Sequence, residues 1–429
     1  MKKWLIVAHC MNMDGQAASH HVSDKLKYLE RNNIRPFLLS AASGKRDSRY
    51  PHHQVFSPLP SGIKFEIRHF IRLRIKARFA SEALLALISL MIFPFYLLEK
   101  ALLPLDSQWS WFLSAYLRGR KIIKSEKIDF IYVLGGASSG FLAAHLLSGS
   151  TNIPFLAECF DPIISNDWRR SRLCFLWNKW IESLLCKRAK AVVWYTNGAR
   201  DEALARNPSL GDRGHVLRPG MEPPDFSGVK YTRKEKINFS YFGGLSNERS
   251  LLDTIKTLND LIQENPQYSK VIQLNVYGGE LDDSSREFIR KKSCDFLKAH
   301  GRLEYDESSQ KTGRQQVLEE MRRSDVLVLV HGIGQITKLY IPSKTYEYLW
   351  AKRPILLITP SPEEWRELLP EEEHCIIDSG DFEQLKSAIL SYVNSWRKSG
   401  LRDCEVSVPF SAEDATGKII DLASVDCFE

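Results

Sequence analysis

The sequence predicts an α/β protein built from two doubly wound parallel-sheet domains facing across a cleft. Three observations carry this expectation. The chain has 429 residues, about twice the size of a common domain. Short apolar, β-rich runs alternate with helical patterns almost from end to end, the signature of βαβ units. One stretch, RPGMEPPDFSGVKYTRKEK at 218–236, breaks that rhythm with Pro, Gly and charge, as a linker does.

In the first half, strands are expected at 4–10, 35–40, 128–134, 154–160, 191–196 and 215–218, each an apolar run of strand length. Helical patterns fill 17–31, 109–125, 138–147, 171–188 and 197–206. After the linker come strands at 237–243, 272–277, 302–305, 325–330, 354–359 and 374–377. Their helices fall near 249–264, 284–299, 311–323, 343–351, 362–369 and 381–397, and a last helix, 411–424, follows VPFS. The expected division is 1–225, 226–408 and a closing segment 409–429. Two Rossmann-like domains of this kind hold ligands where the C-terminal ends of their strands face each other.

Composition narrows the class. Apolar residues make up 44% and charged residues 26%, enough for two cores and unlike a disordered chain. Eight cysteines are scattered without a C-x-x-C pair, which argues against a disulfide framework or zinc site and for a reducing compartment. The opening MKKWLIVAHC reads as a buried first strand rather than a secretory leader, because its apolar run stops at Cys10. The net charge of +7 is modest, and no nucleic-acid partner is expected. Charge is concentrated at 68–78, RHFIRLRIKAR, with five Arg and Lys, before the uncharged run ALLALISLMIFPFYLL at 83–98. That run contains Pro94 and falls short of the roughly 20 residues that span a bilayer. Basic then apolar suits a segment lying in a membrane interface, so membrane contact is expected near 64–104. A buried core helix preceded by a solvated basic one would account for the same residues.

Three motifs could carry chemistry. The loop MNMDGQAAS (11–19) follows the first strand and opens a helix, with Gly15 permitting close backbone approach to an anion. In YFGGLSNERSLLDTI (241–255), Gly243 and Gly244 end a strand and Ser246 or Asn247 can cap the helix after it. Arg249 in the first helical turn opposes the helix dipole unless it faces an anion; a surface pair with Glu248 or Asp253 is the plainer reading. In YIPSKTYEYLWAKRPIL (340–356), Pro342 starts a helix, Ser343 can cap it, and Tyr346, Leu349 and Trp350 form its packed side. The helix start and Lys344 would meet a phosphate, and Glu347 one turn on would accept hydroxyls of a ribose. An exposed i,i+3 pair of Lys344 and Glu347 is the alternative.

Together with FDP at 160–162 and LNVYGG at 274–279, these motifs resemble those of GT-B-fold glycosyltransferases, the retaining, nucleotide-sugar-dependent kind grouped in family 4. The likeness runs along nearly the whole chain and is most specific in PSKTYEYLWAKRPIL; the helix after FS (410–411) is similar to the one that crosses back to the first domain in that fold. It implies transfer of a sugar from a UDP- or GDP-linked donor to a glycan or lipid-linked acceptor in capsule, O-antigen or exopolysaccharide synthesis. Glu347 matches the second Glu of the family's paired-Glu motif, which holds the donor ribose, whereas the first falls at Leu339, leaving Lys338 or His331 as substitutes. Arg249 matches a diphosphate-contacting Lys, Gly244 replaces a second basic residue whose charge Lys344 can supply, and Asp161 matches an acidic or His position on the acceptor side. The implied catalytic set is Asp161, Glu347, Arg249 and Lys344; the donor-binding set is Gly15, Gly243, Gly244, Gly278, His331, Ser343, Thr345 and Glu347. With no Asp-x-Asp pair at a strand end, neither metal nor other cofactor is expected. The implied location is cytoplasmic, peripheral on the inner face of the inner membrane. A sugar-nucleotide epimerase of similar fold, or an inactive nucleotide-sugar-binding protein, fits the same residues.

Overall fold

The computed structural model describes residues 1–13, 17–75, 77–164, 171–226, 228–334, 336, 339–405 and 411–425. It divides into two compact units, Met1–Glu222 with Phe410–Glu429, and Pro223–Pro409. Gly15 and Lys338 lie outside the described residues.

The first unit runs β1 (Lys2–Val7), α1 (Ala17–Arg31), β2 (Ile34–Ala41), β3 (His52–Val55), α2 (Pro60–Arg74), α3 (Arg78–Leu102), α4 (Trp111–Glu126), β4 (Phe130–Leu134), α5 (Ser138–Thr151), β5 (Phe155–Cys159), α6 (Arg172–Arg188), β6 (Ala191–Trp194), α7 (Asn197–Arg206) and β7 (Gly214–Val216). Its seven strands lie in the order β3-β2-β1-β4-β5-β6-β7, and every pairing is parallel. The second unit runs β8 (Ile237–Gly243), α8 (Leu252–Glu264), β9 (Ile272–Gly278), α9 (Asp283–Lys291), β10 (Leu297–Gly301), α10 (Gly313–Arg323), β11 (Val326–Val330), α11 (Lys344–Trp350), β12 (Ile355–Thr359), β13 (Cys375–Asp378) and α12 (Phe382–Ser399). Its six-stranded parallel sheet has the order β10-β9-β8-β11-β12-β13. The closing helix α13 (Ala412–Ser424) belongs to the first unit, where a parallel bridge joins Met221 to Ser411. Both sheets are doubly wound, reversing order at β1/β4 and β8/β11, the switch points beside which such sheets hold ligands.

Central strands follow from their sequences. FIYVL, AVVW, VLVLV and ILLIT are buried at every position, as expected when helices cover both faces of a parallel sheet. Edges behave differently. β3 is HHQV and β10 is LKAHG, polar strands with no apolar run to announce them. The expected strand at 302–305 therefore lies a few residues earlier, and the expected helix at 284–299 stops at Lys291. The helix expected at 362–369 is a short 3-10 turn, Pro362–Trp365.

The segment near 64–104 is a helical hairpin. The helix α3 runs 25 residues through Pro94, longer than its uncharged core alone implied, and it is not a core helix: Leu87, Leu90, Met91, Phe95, Leu98 and Leu102 are among its exposed side chains. Two buried carboxylates hold the hairpin at its base. Glu66 accepts from Ser57 N–H (2.7 Å) and Ser57 Oγ (2.6 Å) and meets His9 Nε2 at 3.3 Å. Glu99 accepts from Ser61 N–H (2.8 Å), Ser61 Oγ (2.5 Å) and Trp109 Nε1 (2.8 Å). Trp111, two residues beyond Trp109, is a fully buried core residue.

In the first core, Lys25 of α1 donates to Glu158 of β5 at 2.8 Å, with both side chains almost fully enclosed. Glu158 also accepts from Tyr195 (2.6 Å) and Tyr132, so the ion pair is well supplied with hydrogen bonds. Breaking such a pair strands a charge, whereas removing both halves does not. Glu158→Ala is expected to cost about 3–5 kcal/mol in urea-induced unfolding, and Lys25→Met with Glu158→Leu to recover most of it.

Candidate functional site

The second unit gathers the implied donor-side residues at the C-terminal edge of its sheet. Gly243 ends β8 and Gly278 ends β9, directly paired in register. Both have positive φ, +119° and +125°, which a side chain adopts only with strain. A Cβ on Gly278 would stand 2.5 Å from the carbonyl oxygen of Gly243, while nothing lies within 4 Å of a Cβ on Gly244. Close backbone packing thus explains Gly278, and Gly244 is an open position.

Lys344 reaches this edge from the start of α11. Its ammonium donates to the Phe242 carbonyl at 3.1 Å and lies 4.0 Å from the centre of the Tyr241 ring. A Cβ on Gly243 would come within 3.6 Å of it. Burial, reinforced by the nearby positive charge of Arg249, holds the Lys344 pKa well below the usual lysine range. Arg249 donates from Nη2 to Tyr340 Oη at 3.0 Å, and its buried Nε has no partner. Neither cation forms an ion pair with a described residue.

His331, immediately after β11, completes the group. It is buried, with Nδ1 3.4 Å from Thr359 Oγ1 and Nε2 without a partner. Tyr340 and Trp365 pack edge-on against its ring at 4.9 and 5.1 Å. Burial lowers its pKa to about 3, with Arg249 and Lys344 adding to the effect, so the ring is neutral at pH 7. Thr345 Oγ1 is also buried without a partner. Ser343 starts the helix in helical conformation and its side chain caps nothing; the helix spans only seven residues. The anion-attracting feature is therefore the pair of side-chain cations more than the helix dipole.

Glu347 sits one turn along α11, half-buried, with Oε1 2.7 Å from Arg314 Nη2. Burial raises its pKa and Arg314 opposes the rise. The pairing is with Arg314, not the i,i+3 pair with Lys344. Leu339, where the resembling family carries its first Glu, is buried. Tyr241 and Tyr340 stand at the head of the two quoted motifs without having been assigned a role, and Arg314, in α10, lies outside every motif.

Asp161 belongs to the first unit, just beyond β5. Its side chain is exposed and lines a cavity of about 200 Å³ with Asp106, Gln108, Trp109, Ser138 and Asn178. Asn178 is itself buried with Oδ1 unpartnered, so the cavity offers both carboxylate and amide groups to a polyhydroxylated ligand.

Among the described residues, one trio of metal-ligand types, Glu373, His374 and Cys404, brings such atoms within 4.8 Å of one another. His374 Nδ1 accepts the Ile355 N–H at 3.1 Å, which places the neutral ring's proton on Nε2, the nitrogen 4.0 Å from Glu373. That atom then has no lone pair for a metal, and the trio does not fit a metal centre as it stands.

No protein-family model and no curated protein sequence matches this chain. Solved structures match over its full length. It is similar to Anabaena Alr3699/HepE in complex with UDP, with a TM-score of 0.62 and 11% identity over 99% of this chain and 100% of that one. It is similar also to sucrose-phosphate synthase from Thermosynechococcus elongatus, at TM-score 0.57 and 12% identity over 99% and 98%. The lipopolysaccharide outer core galactosyltransferase WaaB in its apo form gives TM-score 0.54 and 12% identity over 99% and 96%. At these identities the likeness establishes the fold, two Rossmann-like domains of the GT-B type.

The two glycines separate packing from ligand access. Gly278→Ala is expected to lower unfolding free energy by about 2–3 kcal/mol or more through backbone collision and strain. Gly244→Ala should stay within about 1 kcal/mol of the parent. Denaturant midpoints of the two variants decide it.

Proposed function

We propose that the chain is a glycosyltransferase, hexosyltransferase in type, moving a sugar from a nucleotide-sugar donor to a glycan or lipid-linked acceptor in cell-surface polysaccharide synthesis. The observation that carries this is the convergence of Lys344 and Arg249, without carboxylate partners among the described residues, on the Gly243/Gly278 edge of the second sheet. Unpaired cations in a partly buried site are costly and mark places where an anion is bound. A diphosphate supplies the charge, and the likeness to a chain solved with UDP and with UDP-glucose supports a uridine donor over a guanosine one.

In this reading the anomeric carbon–oxygen bond breaks, and the leaving diphosphate takes the electron pair against the Lys344 ammonium and the Arg249 guanidinium. Such fixed cations stabilise the developing charge without reorganisation. The acceptor hydroxyl oxygen forms the new bond on the same face, giving retention, and its proton passes to a departing phosphate oxygen. Glu347, steadied by Arg314, receives the ribose hydroxyls; Asp161 orients the acceptor. The charge work assigned to a metal elsewhere falls to the two cations, so the reading is metal-independent. An epimerase would need an acid–base pair at the sugar, and His331, held neutral, is a poor acid at pH 7. Such an enzyme would work in the cytoplasm, peripheral on the inner membrane face.

Lys344→Ala and Arg249→Ala should each weaken UDP binding roughly tenfold to a hundredfold, the worth of a charge-assisted hydrogen bond, read by thermal shift and calorimetry. Unchanged affinity and turnover in both would refute the phosphate site. Incubating labelled UDP-glucose without acceptor should give at most slow hydrolysis; an epimerised sugar would name the other class.

The pH dependence has a definite sign. Free Lys344 has a lowered pKa, and a bound diphosphate raises it, so binding takes up protons wherever the free amine is partly deprotonated. UDP affinity should therefore fall as pH rises toward the ordinary lysine value near 10.4. Calorimetry in buffers of different ionisation enthalpy should register the uptake, and Lys344→Met should abolish it.

A further inference from the structure

The helix α3 is an unusual feature for a protein surface. The stretch Phe79–Leu102 is long and apolar enough to cross a membrane, yet only 6% of its apolar 18-residue window is buried within the chain. Phe79, Leu87, Leu90, Met91, Phe95 and Leu98 all expose about half or more of their surface. Contiguous apolar surface on this scale marks an interaction site. Its partner helix is the opposite in character. The helix α2 carries Lys64, Arg68, Arg72 and Arg74, and its one carboxylate, Glu66, is buried.

The two helices run antiparallel. Ser61 meets Glu99 at the base, the Lys64 ammonium lies 4.6 Å from the Tyr96 ring centre, and Arg72 pairs with Glu82 at 2.8 Å toward the tip. This pairing decides between two modes of membrane contact. At 25 residues and about 1.5 Å per residue, α3 alone could cross the hydrocarbon of roughly 30 Å. Crossing would drag the four cations of α2 into hydrocarbon along with it, which is costly. Lying flat avoids this: the free face of α3 enters the acyl boundary while the cations of α2 stay with lipid phosphates.

We propose that the α2–α3 hairpin is an in-plane anchor for an anionic lipid surface, with α3 as its inserted face and Arg68, Arg72 and Arg74 as its headgroup contacts. The base of the anchor adjoins the cavity of the same unit: Glu99, at the end of α3, accepts the indole N–H of Trp109, which lines the cavity with Asp161. A glycan attached to a membrane lipid is thus the acceptor class this unit suits. That last step rests on the transferase reading above; the membrane anchor itself does not.

The test uses the full chain without donor. Flotation with phosphatidylglycerol–phosphatidylethanolamine vesicles should recover the protein, and phosphatidylcholine vesicles should recover far less. Arg68→Gln with Arg74→Gln should weaken anionic-vesicle binding roughly thirtyfold. Leu90→Glu with Phe95→Glu should abolish it, and both pairs should melt as the parent does because all four side chains are exposed. Ala77→Cys, at the hairpin tip, should stay reactive to an impermeant maleimide added outside, above the background of the parent. Protection of that cysteine would overturn the in-plane mode. Absent vesicle binding, or binding unmoved by Leu90→Glu and Phe95→Glu, would overturn the anchor. So would a dimer in light scattering that the same pair dissolves, which would make a second copy the cover of α3. Thermal shift by UDP, which reads the other unit, is unaffected by any of these results.

Discussion

A lysine ammonium lodged at the end of a buried parallel sheet must be stabilised by something. At the edge of the second unit that burden falls on one carbonyl and one aromatic face: Phe242 accepts from Lys344, and Tyr241 lies beneath it. Neither neutralises the charge; burial depresses the lysine pKa, and the second cation, Arg249, adds to the fall. The glycines fix the backbone here: a Cβ on Gly243 would meet the Lys344 ammonium at an ordinary 3.6 Å, whereas Gly278 packs its backbone directly onto that of Gly243. Both hold positive φ, and the strand ends they shape are where Lys344 lies.

In the proposed phosphate site the weight thus falls on side chains more than on the helix start that the sequence suggested. A helix start capped by Ser343 would contribute a dipole, but α11 is two turns long and Ser343 makes no cap. A short helix supplies little beyond the position from which Lys344 projects. The local motif was legible, and so were the residues at its ends, because Pro-Ser-Lys and the Gly-Gly pair sit in contiguous sequence. Their partners were not. Tyr241 and Tyr340 lie in those same motifs and Arg314 in α10, and only tertiary structure brings Tyr340 to Arg249 and Arg314 to Glu347.

The same distinction separates legible strands from illegible ones. A strand buried on both faces must be apolar at every position, and β4, β6, β11 and β12 announce themselves that way. An edge strand has one flank unpaired and fewer neighbours to cover, so HHQV and LKAHG satisfy β3 and β10 without any apolar signal. Burial, more than β-propensity, is what sequence reports.

The helix α3 inverts that rule. Its composition is that of a core helix, and sequence alone left open whether it was one. The deciding fact is tertiary: α2 half-covers only the face of α3 that carries Leu85, Ile88, Ile92 and Tyr96, while the leucines and phenylalanines of its other faces stay exposed. Nor is the hairpin a loosely attached appendage, since Glu66 binds the N–H and hydroxyl of Ser57, just before α2, and Glu99 those of Ser61 in its first turn. Two buried carboxylates are spent fixing the angle at which an apolar surface leaves the domain. An anchor without a defined orientation would not need them; one that must set Trp109 and the neighbouring cavity at a fixed height above a lipid surface would.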